Sequence, residues 1–166
     1  LENIISNEYL LDDKVLRNFK SLSIIGHCVD ERNDRIFLFI TNFTDGSITQ
    51  DAYPSPSREV EDGAGRIVQV EGGECLIVCY DIQESSTRII VSGTFLNFSK
   101  FSPITAANII ENLLFWTDNR NQPRKINVEK AISNPNYYAY EEHISVAKFA
   151  PYKPISFIRD NVYPRN

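Results

Sequence analysis

The stretch Leu113-Leu114-Phe115-Trp116-Thr117-Asp118-Asn119-Arg120-Asn121-Gln122-Pro123-Arg124-Lys125-Ile126-Asn127-Val128 decides how this chain is read. An apolar run of Leu and aromatics enters a Thr-Asp-Asn turn, and a basic, Pro-marked segment returns from it. Strand, polar turn, strand is the pattern of a β-hairpin, and Asp, Asn and Pro are residues that stiffen turns.

Two upstream segments share the layout. Ile36-Phe37-Leu38-Phe39-Ile40 and Cys75-Leu76-Ile77-Val78-Cys79 are apolar runs like Leu113-Leu114-Phe115-Trp116, and their centres Leu38, Leu76 and Leu114 lie at a constant spacing of 38 residues. Each run leads into a polar turn and then a further short strand, near Ile48, Ile89 and Ile126. Each is preceded by a weaker strand, at residues 22–26, 66–70 and 107–110. A period of roughly 40 residues with several short strands per unit is the spacing of β-propeller blades. The expected fold is therefore all-β, a β-propeller-like repeat of about three blades with antiparallel sheets and few short helices.

The expected organisation is an N-terminal arm or connector at 1–20, a repeat domain at 21–149 with units near 22–60, 61–100 and 101–149, and a Pro-marked linker at 150–166. Within the repeat, Glu71-Gly72-Gly73-Glu74 reads as a tight hairpin into the second strong strand. Residues 88–98 read as strand, break at Gly93, strand, and residues 143–149 as one more strand. A helical turn at 128–132 is stopped by Asn134-Pro135-Asn136.

The chain has 166 residues, 42% of them hydrophobic and 23% charged, the composition of a folded domain. Ten Phe and eight Tyr suit β-rich structure. A net charge of −5 argues against a nucleic-acid surface, which needs clustered cations. No apolar run is long enough to span a membrane. The chain opens on Leu1 and contains no Met, which reads as an excerpt of a longer protein. Cys28, Cys75 and Cys79 are an odd set, and Cys75 and Cys79 fall on one face of one strand, so they read as buried free thiols from a reducing compartment.

No catalytic or metal-binding constellation stands out. His27 and Cys28 are adjacent and point to opposite faces of an extended chain. Asp45-Gly46 and Asp62-Gly63 are turn dipeptides, and Gly63-Ala64-Gly65 lacks the residues of a phosphate loop. The expectation is a protein that is not an enzyme and carries no cofactor or metal. Asn42-Phe43-Thr44 and Asn97-Phe98-Ser99 match glycosylation sequons.

Leu114-Phe115-Trp116-Thr117-Asp118 is similar to the Tyr-Trp-Thr-Asp signature of low-density-lipoprotein-receptor-type propeller blades, with Phe115 in the place of Tyr. The block from Leu114 to Asp118, followed by Pro123-Arg124-Lys125-Ile126-Asn127 and then Ala150-Pro151 and Pro154, resembles large virion structural proteins of tailed bacteriophages, of the crAss-like and cyanophage kinds. That resemblance implies a non-enzymatic structural component of a phage neck, tail or baseplate, assembled in the host bacterial cytoplasm. Its implied partners are other virion proteins in a symmetric homo-oligomer, with no nucleic acid and no membrane. A receptor-like propeller that binds a protein or glycan is the alternative. Interface candidates are Tyr137, Tyr138, Tyr140, Tyr152, Arg120 and Arg124, since aromatics and Arg are enriched at hot spots. Trp116 reads as core.

Overall fold

The computed structural model describes residues 22–44, 58–61, 64–70 and 75–147. The strands are β1 (Ser23–Asp30), β2 (Arg35–Thr41), β3 (Arg58–Glu61), β4 (Ile67–Val70), β5 (Cys75–Asp81), β6 (Ser86–Ser92), β7 (Ala106–Ile110), β8 (Leu113–Thr117) and β9 (Arg124–Asn127). Two short helices follow, α1 (Val128–Ser133) and α2 (Glu141–Ile144), and a single 3-10 turn spans Thr94–Leu96. Every strand pairing is antiparallel. The described residues are thus mostly β, in antiparallel sheets, with two short helices. No helix among them is long and apolar enough to cross a membrane.

The division into three equivalent units is not what these residues form. Strands β1-β2-β5-β6 make one four-stranded sheet, β3-β4 a separate two-stranded one, and β7-β8-β9 a three-stranded one. The runs centred on Leu38 and Leu76 are neighbours in the first sheet, with Leu38 opposite Val78 and Ile40 opposite Leu76. The physical reason lies in their composition. A continuous apolar run needs cover on both faces, and at the centre of one sheet these two runs have a core packed on each side. For the same reason no hairpin joins β4 to β5: β4 pairs with β3, and β5 pairs with β2 and β6.

Alternation along β2 and β5 distributes their side chains to two cores. Phe37, Phe39, Cys75, Ile77 and Cys79 face the main core, which they share with Leu114, Trp116 and Ile126 of the third sheet. Leu38, Ile40, Leu76 and Val78 face the other way, into a smaller core with Ile89 and Val68, the latter from β4. Two bulges adjust the faces. The register slips between Ile24 and Gly26, so Ile25 and Cys28, three residues apart, both reach the main core. It slips again opposite Ile77 and Val78, so that Ile90 and Val91 both join the main core. One extra residue per bulge is enough to change which side chain points inward.

The first and third sheets meet along β1 and the approach to β7. The Ile104 amide donates to the Ile25 carbonyl at 2.8 Å, and a Cβ at Gly26 would collide with the Ile104 side chain. Between the sheets, Phe39, Phe98 and Trp116 form an aromatic triad with ring centroids 5.6–6.5 Å apart, in tilted and edge-on orientations. Such geometry adds specific attraction to area burial.

Helix α1 begins where the Asn127 side chain accepts from the Lys130 amide at 2.9 Å, an N-cap. The helix ends at Asn134, directly before Pro135. Arg35 of β2 reaches Glu129 of α1 at 2.9 Å, and Arg66, just before β4, donates to the Ile132 carbonyl, which ties the turn end of the β3–β4 hairpin to the same helix. The strand expected after Gly93 is instead the Thr94–Leu96 turn, with Asn97 left-handed at φ 48°. Of the strand expected at 143–149, the described residues 143–147 form the end of α2 and a bridge from Ser145 to Arg124, and 148–149 lie outside the described residues. Acidic residues in the first turn favour the helix there. Residues 1–20, the strand near Ile48, the Tyr53-Pro54-Ser55-Pro56-Ser57 stretch, the Glu71–Glu74 loop, Tyr152 and the linker at 150–166 lie outside the described residues.

Candidate functional site

The β8–β9 hairpin carries most of the residues singled out in the sequence. Along β8, Leu114 and Trp116 point into the main core, while Leu113, Phe115 and Thr117 are half-buried on the other face. Trp116 is 2% exposed. Its indole N–H has no acceptor among the described residues, so its contribution comes from packing. At the strand end, the Thr117 carbonyl accepts from the Thr105 amide at 2.8 Å.

Asp118 follows and is buried. Its Oδ1 accepts from the amides of Arg120 (3.1 Å) and Asn121 (2.8 Å), and its Oδ2 from the Asn121 side chain (2.6 Å). One carboxylate thereby holds the turn, with Asn119 in the left-handed region at φ 57°. The Trp-Thr-Asp sequence is thus a core residue, a strand end and a turn clamp in succession.

A second turn is locked onto the first. The Asn97 side chain donates to Asn121 Oδ1 at 2.7 Å, and Asn121 donates back to the Asn97 carbonyl at 3.2 Å. Arg120 donates to Asn97 Oδ1 at 3.2 Å, and its guanidinium lies 5.8 Å from the centroid of the Phe43 ring. Arg120 remains exposed.

Arg124 is a correction to the interface candidates: it is 1% exposed. Its guanidinium donates to the carbonyls of Phe95 (3.0 Å) and Leu96 (2.6 Å), to Asn121 Oδ1 (3.1 Å) and to Glu141 Oε1 (2.8 Å). The last contact is an ion pair with a half-exposed carboxylate. A planar fork of donors suits this role, because it bonds the Thr94–Leu96 turn, the 118–121 turn and α2 at once. Its charge is directed inward and is not available to a neighbour.

The tyrosines divide in the same way. Tyr138 is buried, and its hydroxyl accepts from the Asn127 amide at 2.6 Å. Burial pushes its pKa up. It too is removed from the interface candidates. Tyr137 and Tyr140 are exposed, at 45% and 63%. Tyr137 packs edge-on against Tyr138 with centroids 4.9 Å apart and lies 5.2 Å from Lys130 Nζ. Tyr140 packs edge-on against the His143 ring at 5.3 Å. Each exposed ring thus has an aromatic partner at one side.

The remaining feature is the outer face of the third sheet. Asn108, Phe115 and Lys125 are paired across it, as are Ile110, Leu113 and Asn127. Ile110 is 57% exposed. A shallow cleft of about 160 Å³ opens beside Phe115 and Thr117, bordered by Ala106, Asn108 and Pro123. Lys125 is the only formally charged side chain in these outward pairs.

Reactive chemistry has little to work with among the described residues. His27 is exposed and Cys28 buried on the opposite face of β1. Burial, with Asp30 nearby, pushes the Cys28 thiol up; burial likewise raises Cys75 and takes Cys79 up to about 12. Protonated, enclosed thiols are poor nucleophiles and poor metal ligands. All three are free. No group of three or more His, Cys, Asp or Glu among the described residues is placed to hold a metal ion.

Fold and surface together define an all-β protein of antiparallel sheets with one half-open sheet face. No protein-family model, curated protein or solved structure matches the chain.

The sequence reading missed Asn97, Asn121 and Glu141 as partners of the hairpin. Asn97 had a local signal, since it follows Gly93 and the apolar Phe95-Leu96 and favours a left-handed turn position. Glu141 had none: it lies 17 residues from Arg124, and only the fold brings them together.

Proposed function

We propose that this chain is a non-enzymatic assembly component of a tailed-phage particle, of the neck, tail or baseplate, working through protein–protein contacts. In the same reading its four-stranded and three-stranded sheets are consecutive blades of a propeller-like array, with β1 and β7 as their inner strands. Adjacency of β1 and β7 at Gly26 and Ile104 supports that arrangement.

The observation that carries the proposal is the hairpin block itself, Leu114 to Asp118 with Pro123 to Asn127, which resembles virion structural proteins. The physical features agree with a scaffold. The block's polar residues are used in holding two turns and a helix together. Among the exposed apolar groups are the weakly basic outer sheet face and the rings of Tyr137 and Tyr140. Exposed aromatic rings are frequent interface anchors. A net charge of −5 agrees with protein partners in preference to nucleic acid.

The receptor-like alternative has less support. A glycan on Asn97 would sit on the side-chain nitrogen that donates to Asn121. Mass spectrometry and imaging of purified particles test the main reading. The chain is expected in the virion in a fixed copy number, and particles that lack it overturn the proposal.

A further inference from the structure

We draw no further inference here: the strongest candidate, the half-exposed outer face of the β7-β8-β9 sheet with its shallow cleft beside Phe115 and Pro123, carries nothing because nothing in the structure shows what covers it.

Discussion

In the four-stranded sheet β5 and in the three-stranded sheet β8 are both apolar runs, and they end in different surroundings. β5 is buried from Cys75 through Cys79, with the main core on one side and the Val68 core on the other. β8 reads Leu-Leu-Phe-Trp-Thr, yet buried and half-buried positions alternate along it. A continuous apolar run is the pattern of a strand covered on both faces. β8 has that composition with one face covered. The difference marks one place, among the described residues, where a strand face keeps apolar surface uncovered, and it separates side chains that stabilise the fold from side chains that are free to meet something else.

Substitutions that place a charge on each sheet break this comparison most sharply. Val78→Asp would bury an unpaired carboxylate in the smaller core, with an expected loss above about 4 kcal/mol. Circular dichroism should find that variant unfolded at ambient temperature. If it retains a native spectrum and a cooperative transition, the β3–β4 hairpin does not seal that face.

Trp116→Ala tests the interface between the sheets. Removing the indole from the Phe39–Phe98 triad is expected to cost about 3–5 kcal/mol in denaturant unfolding. Trp116→Phe should cost clearly less, because it keeps a ring and removes an unpaired donor. Equal losses would mean that the N–H has a partner after all.

The pH dependence of stability has a defined sign. An ordinary thiol titrates near 9, and burial takes Cys79 up to about 12. Below pH 9 the thiol is protonated in both folded and unfolded chains, so stability from this source is fully present. Above that value the unfolded chain ionises first, and stability falls as pH rises through the folded pKa. The loss reaches at most about 4 kcal/mol. Urea midpoints measured from pH 8 upward should decline, and Cys79→Ala should flatten the decline relative to its own pH 8 value. An unchanged slope in that variant would assign the alkaline loss elsewhere.

Arg124→Lys addresses how the half-covered sheet is held. A lysine cannot serve the Phe95 and Leu96 carbonyls, Asn121 and Glu141 together. The expected loss is about 2–3 kcal/mol, with faster amide exchange in α2 than in β5. Uniform exchange across both would show that the guanidinium does not anchor the helix in particular.

The smallest effect belongs to the outer face. Phe115→Asp should change unfolding free energy by less than about 1 kcal/mol, since the ring is half-buried and beside an open cleft. Set against Val78→Asp, it measures the covered and uncovered faces with the same substitution. A loss as large as that of Val78→Asp would mean that the face is closed in solution.

Much of the strand content was legible because it depends on neighbours along the chain. The runs at Leu38, Leu76 and Leu114 became β2, β5 and β8, and the hairpin return became β9. The Asn134-Pro135 stop and the short helix before it followed from local rules as well. β3 was not anticipated, since Arg58-Glu59-Val60-Glu61 offers one apolar residue in four. The sheets of the described residues do not follow the three-unit division for a specific reason: equal spacing records that similar runs recur, and it holds no information about which run pairs with which. For the surface, Tyr137 and Tyr140 stayed outward, while Tyr138 and Arg124 turned inward. Residue type alone does not distinguish Tyr137 from Tyr138; the Asn127 amide that donates to the hydroxyl of Tyr138 does.

By itself, the sequence determined an all-β chain with few short helices, because apolar run length, alternation and turn chemistry act over a handful of residues. Only the tertiary structure decided that β2 and β5 share a sheet, that Arg124 joins Phe95 to Glu141, and that the Leu113 and Phe115 face is left half-open. Those outcomes depend on contacts between residues far apart in the chain, where burial of one face is satisfied by whichever surface the fold brings to it.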